Sequence, residues 1–229
     1  MVRVLSLGIF GTLVASCSFG ADPLPRVEQI AEQHQKALGG AAALEKVSGL
    51  VLSGDCESTA EHESGPIQIF VSSPRVAFNL NHGALRMGFN GQAGWRHVAG
   101  QDLQQHAGRQ FVEIVTVFDP ARVRWWTEWY PNMAVTGTEK VDGRDAYTLT
   151  MNPGNKASER LFIDRETGLV VRDEVMPGVV FTFSDYRPVS GLQVPFRVRQ
   201  STSAAITYTY IFKDVKALPE IEAAQFEPK

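Results

Sequence analysis

The sequence predicts a mainly β fold with a few helices, built as a long antiparallel meander of about ten or eleven strands with a helical insertion in mid-chain. Three observations predict it. From Gly49 onward apolar and polar residues alternate, the period of a half-buried strand. Turn residues punctuate that alternation at short intervals. Helical spacing replaces it in only two regions, before residue 48 and between residues 110 and 130.

The first helix opens at Pro25, which suits a first turn. Val27, Ile30, Ala31, His34 and Leu38 follow on one stripe, with Glu28, Glu32, Gln33 and Lys36 opposite. Gly39-Gly40 ends it, because Gly tolerates the left-handed cap. Ala41 to Val47 reads as one more helical piece, with Leu44 and Val47 as its apolar edge. The first strand then puts Leu50, Leu52, Gly54 and Cys56 on one face. Ile67, Ile69 and Val71 alternate likewise, as do Val76, Phe78 and Leu80, then Leu85, Met87 and Phe89. Ser64-Gly65-Pro66, Ser73-Pro74, His82-Gly83 and Asn90-Gly91 supply the turns. Gly94-Trp95 starts a strand whose ring is expected to pack inward.

In the insertion, Phe111, Ile114, Val115 and Phe118 lie at i, i+3, i+4 and i+7. Asp119 is a plausible N-cap for a second short helix with Pro120 at its first position. That helix carries Trp126 and Tyr130 on a stripe with Val123, and Trp125 and Trp129 on another. One stripe fits the sheet; the other fits either core or a cavity mouth or partner. Strands resume at Ala134 and continue to about Val215. Val141 to Arg144, Asp164 to Gly168 and Val189 to Leu192 form hairpin-type turns. In the tail, Phe226 is expected to tuck down.

The first residues carry a different signal. Met1-Val2-Arg3, an apolar run from Val4 to Ala15 and a small-residue exit are the parts of a secretory signal peptide. The run is shorter than the roughly 20 residues that a spanning helix needs. Val14-Ala15-Ser16-Cys17 resembles a bacterial lipobox, with cleavage before Cys17 and acylation of that residue. Ordinary cleavage after Gly20 and a buried core helix over residues 4–15 are the other readings. The lipobox divides the chain into a signal peptide (1–16), a tether (17–25) and a single domain (26–229). By the bacterial sorting rule, Ser18 leans the anchor towards the outer membrane.

Bulk composition narrows the function. Hydrophobic residues make up 44% and charged residues 21%, and the formal net charge is -3, so the chain is globular without a basic face for nucleic acid. The two cysteines, Cys17 and Cys56, form no metal spacing. With Cys17 acylated, no disulfide forms within the chain, and Cys56 on the Leu50/Leu52 face is an inert buried thiol. No G-x-S-x-G, H-E-x-x-H, phosphate-loop or G-x-G-x-x-G pattern occurs, so neither an enzyme nor a cofactor is expected. His62, between Glu61 and Glu63, reads as a solvated turn. Asp164, Glu166, Asp173 and Glu174 read as turn and outer-face carboxylates.

Several local patterns occur in a telling order: Ala37-Leu38-Gly39-Gly40 with Ala43-Leu44, Asn90-Gly91-Gln92 with Gly94-Trp95, Asp164-Arg165-Glu166-Thr167-Gly168-Leu169, and Ser184-Asp185-Tyr186-Arg187 with Gly191, Pro195 and Phe196. Together they resemble the outer-membrane lipoprotein-sorting proteins of the LolA and LolB type, nearest an uncharacterised branch of that superfamily. The resemblance implies an unclosed β-barrel wrapped around helices, with a hydrophobic cavity for acyl chains between them. The resemblance does not place that family's lid-locking Arg at any position of this sequence, Arg75 and Arg86 included.

On this reading the cavity is lined in part by Phe78, Leu80, Met87, Phe89, Phe111, Ile114, Val115, Phe118 and Trp126, strand residues of one alternating face and helix residues of one stripe. The expected protein is a periplasm-facing lipoprotein of the bacterial envelope, anchored at the outer membrane through Cys17. It would bind the acyl chain of a lipid or lipoprotein. A protein-interaction or sensor module on the same fold is the alternative.

Overall fold

The computed structural model describes residues 23–60, 64–106, 109–152, 154 and 158–228. The signal-peptide segment, Cys17 and the His62 cluster lie outside the described residues. Helices α1 (Val27–Ala37) and α2 (Gly40–Lys46) lead into β1 (Gly49–Ser58), β2 (Gly65–Ser72), β3 (Arg75–Leu80), β4 (Leu85–Phe89), β5 (Gly94–Val98) and β6 (Gln104–His106). The insertion consists of α3 (Arg109–Thr116), a 3-10 turn (Pro120–Trp125) and a single helical turn, α4 (Trp126–Trp129). Then come β7 (Asn132–Val141), β8 (Arg144–Asn152), β9 (Glu159–Asp164), β10 (Val170–Met176), β11 (Val179–Val189), β12 (Leu192–Thr202) and β13 (Thr207–Leu218).

The 13 strands form one sheet in the order β6-β5-β4-β3-β2-β1-β13-β12-β11-β10-β9-β8-β7. Every neighbouring pair is antiparallel. Strands β6 and β7 occupy the two edges and do not pair, so the barrel is unclosed. The count exceeds the expected ten or eleven partly because β6 has only three residues and no apolar alternation to reveal it. This order explains the insertion. The chain leaves one edge at β6 and must reach the other at β7, so residues 109–131 cross the sheet. Their apolar residues are buried against its concave face, where Val115, Val117, Phe118, Ala121, Trp126 and Tyr130 join the main core.

Cross-strand register fixes which side chains point inward. Leu52, Ile69, Phe78 and Met87 follow one another across β1 to β4, and Gly54, Ile67, Leu80 and Leu85 form the next row. Cys56 is on the same face and is buried. The opposite row runs Val51, Phe70, Ala77, Gly88 and Trp95. Trp95 thus packs on the convex face, not inward as its strand start suggested. Gly88 stands directly across from it, and a Cβ there would lie 3.0 Å from Trp95 Cζ2 and 2.6 Å from Val76 O. The C-terminal tail covers the ring: Ile221 and Phe226 pack against it, and Trp95 Nε1 donates to Phe226 O at 2.7 Å. Phe226 is fully buried, as the sequence led one to expect.

Helix α1 docks by its C-terminal end. Gly39, with φ of +123°, passes so close to the β11–β12 turn that a Cβ would meet Gly191 O at 2.1 Å. Gln193 N donates to Leu38 O at 2.9 Å in the same place. No helix among the described residues is long and apolar enough to cross a membrane.

Candidate functional site

Beneath α3 lies a cavity of about 220 Å³. Its floor is the concave face of β2 to β4, from which Ile67, Phe78, Leu80, Leu85 and Met87 project, and its roof is Phe111 and Ile114 of α3. Arg96 of β5 borders it on one flank. Gln200 and Thr202 of β12, with Tyr208 and Tyr210 of β13, border it on the other. Leu85, Met87, Phe111 and Ile114 are only half-buried, so solvent reaches this apolar space. Strand alternation and the α3 stripe explain why these residues converge: each sits at an inward position of its own element.

Of the nine residues named from sequence for the cavity, Phe78, Leu80, Met87, Phe111 and Ile114 border it. Phe89, Val115, Phe118 and Trp126 are placed elsewhere, in the packed core. Phe118 is the hub of an aromatic cluster, meeting Phe78, Phe181, Tyr210 and Phe212 edge-on at centroid distances of 5.1–6.2 Å. Trp126 stacks on His34 of α1 at 5.5 Å. The second tryptophan stripe pairs off: Trp125 and Trp129 stack at 6.3 Å, half-buried, and Trp125 Nε1 donates to Ser73 Oγ at 2.9 Å. Ile67, Leu85 and Tyr210 also border it and were missed from sequence, and so were the polar residues Arg96, Gln200, Thr202 and Tyr208. Alternation from Gly94 and from Val198 already assigns them to the inner face, but polarity conceals it.

A second feature of the interior is charged. Arg122, in the 3-10 turn, donates through Nη2 to Glu159 Oε1 of β9 at 3.2 Å and to Asp173 Oδ2 of β10. Tyr130 donates its hydroxyl to Glu159 Oε2. The Arg122 side chain is 10% exposed, and those of Glu159 and Asp173 are 1% and 0% exposed, so water screens none of these charges well. Asp173 was expected on an outer strand face. It faces inward instead, paired across strands with Leu161 and Phe181, because a register shift between Val170 and Arg172 resets the alternation of β10.

Burial pushes the Asp173 carboxyl well above the usual range; Arg122 opposes that shift and Glu159 adds to it. For Arg122 burial works against the charge, but Asp173 and Glu159 outweigh it and hold the guanidinium above its ordinary range. Tyr130 is raised by burial and then by the Glu159 charge. Two carboxyls face one guanidinium, so the Glu159 charge that Arg122 only partly offsets adds to the upward shift of Asp173. Asp119 caps the 3-10 turn as expected, with Oδ1 accepting from Ala121 N at 2.8 Å. Arg75 and Arg86 both project from the convex face: Arg75 lies over the Phe226 ring at 4.9 Å, and Arg86 lines a crevice with Trp95. Arg122 is the arginine that ties the insertion to the sheet.

The sequence matches no protein-family model and no curated protein. Solved structures share the fold. A DUF1329 family protein from Desulfovibrio piger superposes with a TM-score of 0.60 at 11% identity, over 88% of this chain and 97% of that one. An outer-membrane lipoprotein-sorting protein domain from Vibrio parahaemolyticus gives 0.58 at 10% identity, over 87% and 96%. A LolA superfamily protein from Nitrosomonas europaea gives 0.56 at 11% identity, over 90% and 99%. The fold is LolA-like.

Proposed function

We propose that this protein binds the acyl chain of a lipid or lipoprotein in the cavity beneath α3, as a lipoprotein of the bacterial envelope anchored through Cys17. The observation that carries the reading is the half-open apolar cavity bounded by Phe78, Leu80, Met87, Phe111 and Ile114. The LolA-like fold and the names of its structural neighbours support it. Each methylene buried there contributes about 0.8 kcal/mol, so a micromolar complex needs about ten of them. The role is binding and not catalysis.

A fluorescent fatty acid titrated into the purified protein tests this. Emission should rise to saturation, and Ile114→Asp should weaken binding tenfold or more by setting a carboxylate against the chain. A flat titration of the wild-type protein refutes the acyl-chain reading. The remaining candidate is then an interaction module, for which the stacked Trp125/Trp129 pair on the insertion is the favoured contact. The anchor has its own test. Cys17→Ala should release the protein from membranes; a native protein already soluble, beginning at Ala21 or a neighbour, rules the anchor out.

A further inference from the structure

The cavity is not uniformly apolar, and its polar groups indicate which amphiphile it takes. Arg96 lies on the inner face of β5, one strand beyond Met87 in the same cross-strand row. It is half-buried and borders the cavity. A guanidinium beside an apolar hole is a poor wall for a hydrocarbon and a strong donor fork for a carboxylate or phosphate. On the other flank Thr202 borders the same space, and its Oγ1 is buried with no hydrogen-bond partner among the described residues. An orphaned buried hydroxyl is costly unless something completes it. Gln200 offers its amide nearby, with Oε1 already accepting from Tyr210 OH at 2.9 Å.

Size supplies the second constraint. At about 220 Å³ the cavity is smaller than the roughly 300–1,000 Å³ of sites that enclose drug-sized ligands. One acyl chain fits the space; a bundle of three does not.

Resting on the acyl-chain reading, we infer that the cavity selects a single-chain anionic amphiphile, with Arg96 holding a carboxylate or phosphate head group while the chain lies over Met87 and under Ile114. The head group enters last and stays at the flank, where a half-buried Arg keeps part of its hydration. Thr202 donates its hydroxyl proton to the same ligand or to a water bound with it.

Probes with one chain length and different heads test this: dodecanoate, dodecyl phosphate, dodecanol and dodecyltrimethylammonium, each titrated against intrinsic Trp fluorescence at pH 7.5. Both anions should bind at least tenfold tighter than dodecanol, a difference of about 1.4 kcal/mol. The cationic probe should bind weakest. Arg96→Gln should bring the anions down to the affinity that dodecanol has for the same variant, and a urea midpoint close to that of wild type shows that the variant is folded. Arg96→Lys keeps the charge and should retain part of the preference. Comparable binding of dodecanoate and dodecyl phosphate assigns the site to any anionic head; a gap between them identifies the source as fatty acid or phospholipid-derived. A triacylated cysteinyl peptide should fail to displace bound dodecanoate at equal concentration, and displacement by it overturns the single-chain limit. If dodecanol binds as tightly as the anions, or Arg96→Gln leaves their preference intact, the head-group inference is wrong while acyl binding stands. If no probe binds, both fail.

Discussion

Replacing Arg122 with Met removes the guanidinium that pairs with both Glu159 and Asp173, and it tests whether this cluster pins the insertion to the sheet. Two opposite charges about 4 Å apart attract by about 4 kcal/mol at an effective dielectric of about 20. Protonation of a carboxyl recovers part of that loss, so the expected destabilisation is about 3–5 kcal/mol, the range found when a buried pair loses one partner. That is a large share of the roughly 5–15 kcal/mol that stabilises a typical domain, and it corresponds to a fall in Tm of about 6–20 °C for a chain of this size. Urea denaturation followed by Trp fluorescence reads the loss. Its pH dependence gives a sharper test. The Asp173 carboxyl is already raised in the fold, and Arg122 is what restrains it. A carboxyl raised above its unfolded value contributes stability that is full below the unfolded pKa and lost as pH rises through the folded one. Without Arg122 that pKa climbs further, so the stability Arg122 preserves on the alkaline side is lost, and the variant's deficit relative to wild type should widen as pH rises and narrow as it falls. Combining Arg122→Met with Asp173→Leu and Glu159→Gln should recover at least half of the loss. A single-variant deficit under about 1 kcal/mol, or one that stays constant with pH, would refute the reasoning.

His34 is buried with a pKa lowered to about 4, by burial first and by Arg122 as a further cause, while the hydrogen bond between Nδ1 and Gly168 O opposes the shift. The unfolded value is about 6.5, so stability should be lost as pH falls from there towards 4, by up to about 3 kcal/mol. His34→Phe keeps a ring against Trp126 and should flatten that acid limb; a variant as acid-sensitive as wild type assigns the loss elsewhere. Cys56 is buried on the concave face of β1, so a thiol reagent should label it slowly in the native protein and fast in urea. Rapid native labelling would mean a one-residue error in the register of β1.

How much of this was legible in the sequence depends on the range of the signal. Ile67, Ile69, Val71, Val76, Phe78 and Leu80 announce their strands and faces through strict alternation, and the structure buries all six. Asp119-Pro120 and Gly39-Gly40 mark element boundaries through backbone chemistry that is local to a few residues. Trp95 shows where such signals stop. Its ring is large and apolar, which favours the core, but its strand parity assigns it to the convex face. The tail that covers it comes from Phe226, 131 residues later. Nothing in the neighbourhood of Trp95 foretells that cover.

The charged cluster escaped for the same reason in stronger form. Asp173 follows Arg172 and precedes Glu174, a run that reads as solvated strand, and only the register shift at Val170/Arg172 turns one of the three inward. Its partner Arg122 is 51 residues away, on a segment whose aromatic neighbours dominate any pattern. Once both are placed, the interior divides in two. Under β9 and β10 it is filled by Arg122, Tyr130, Glu159 and Asp173, whose ion pairs and hydrogen bonds tie the insertion down. Under β2 to β4 it is apolar and incompletely filled, with α3 as roof. A helix that rests on a partly empty space needs fixing elsewhere, because its apolar face alone gains too little from packing there. The buried ion pairs supply that fixing at the far end of the insertion. Loosening them should therefore disturb the roof of the cavity, and ligand binding at Ile114 should weaken in Arg122→Met even though Arg122 does not border the cavity.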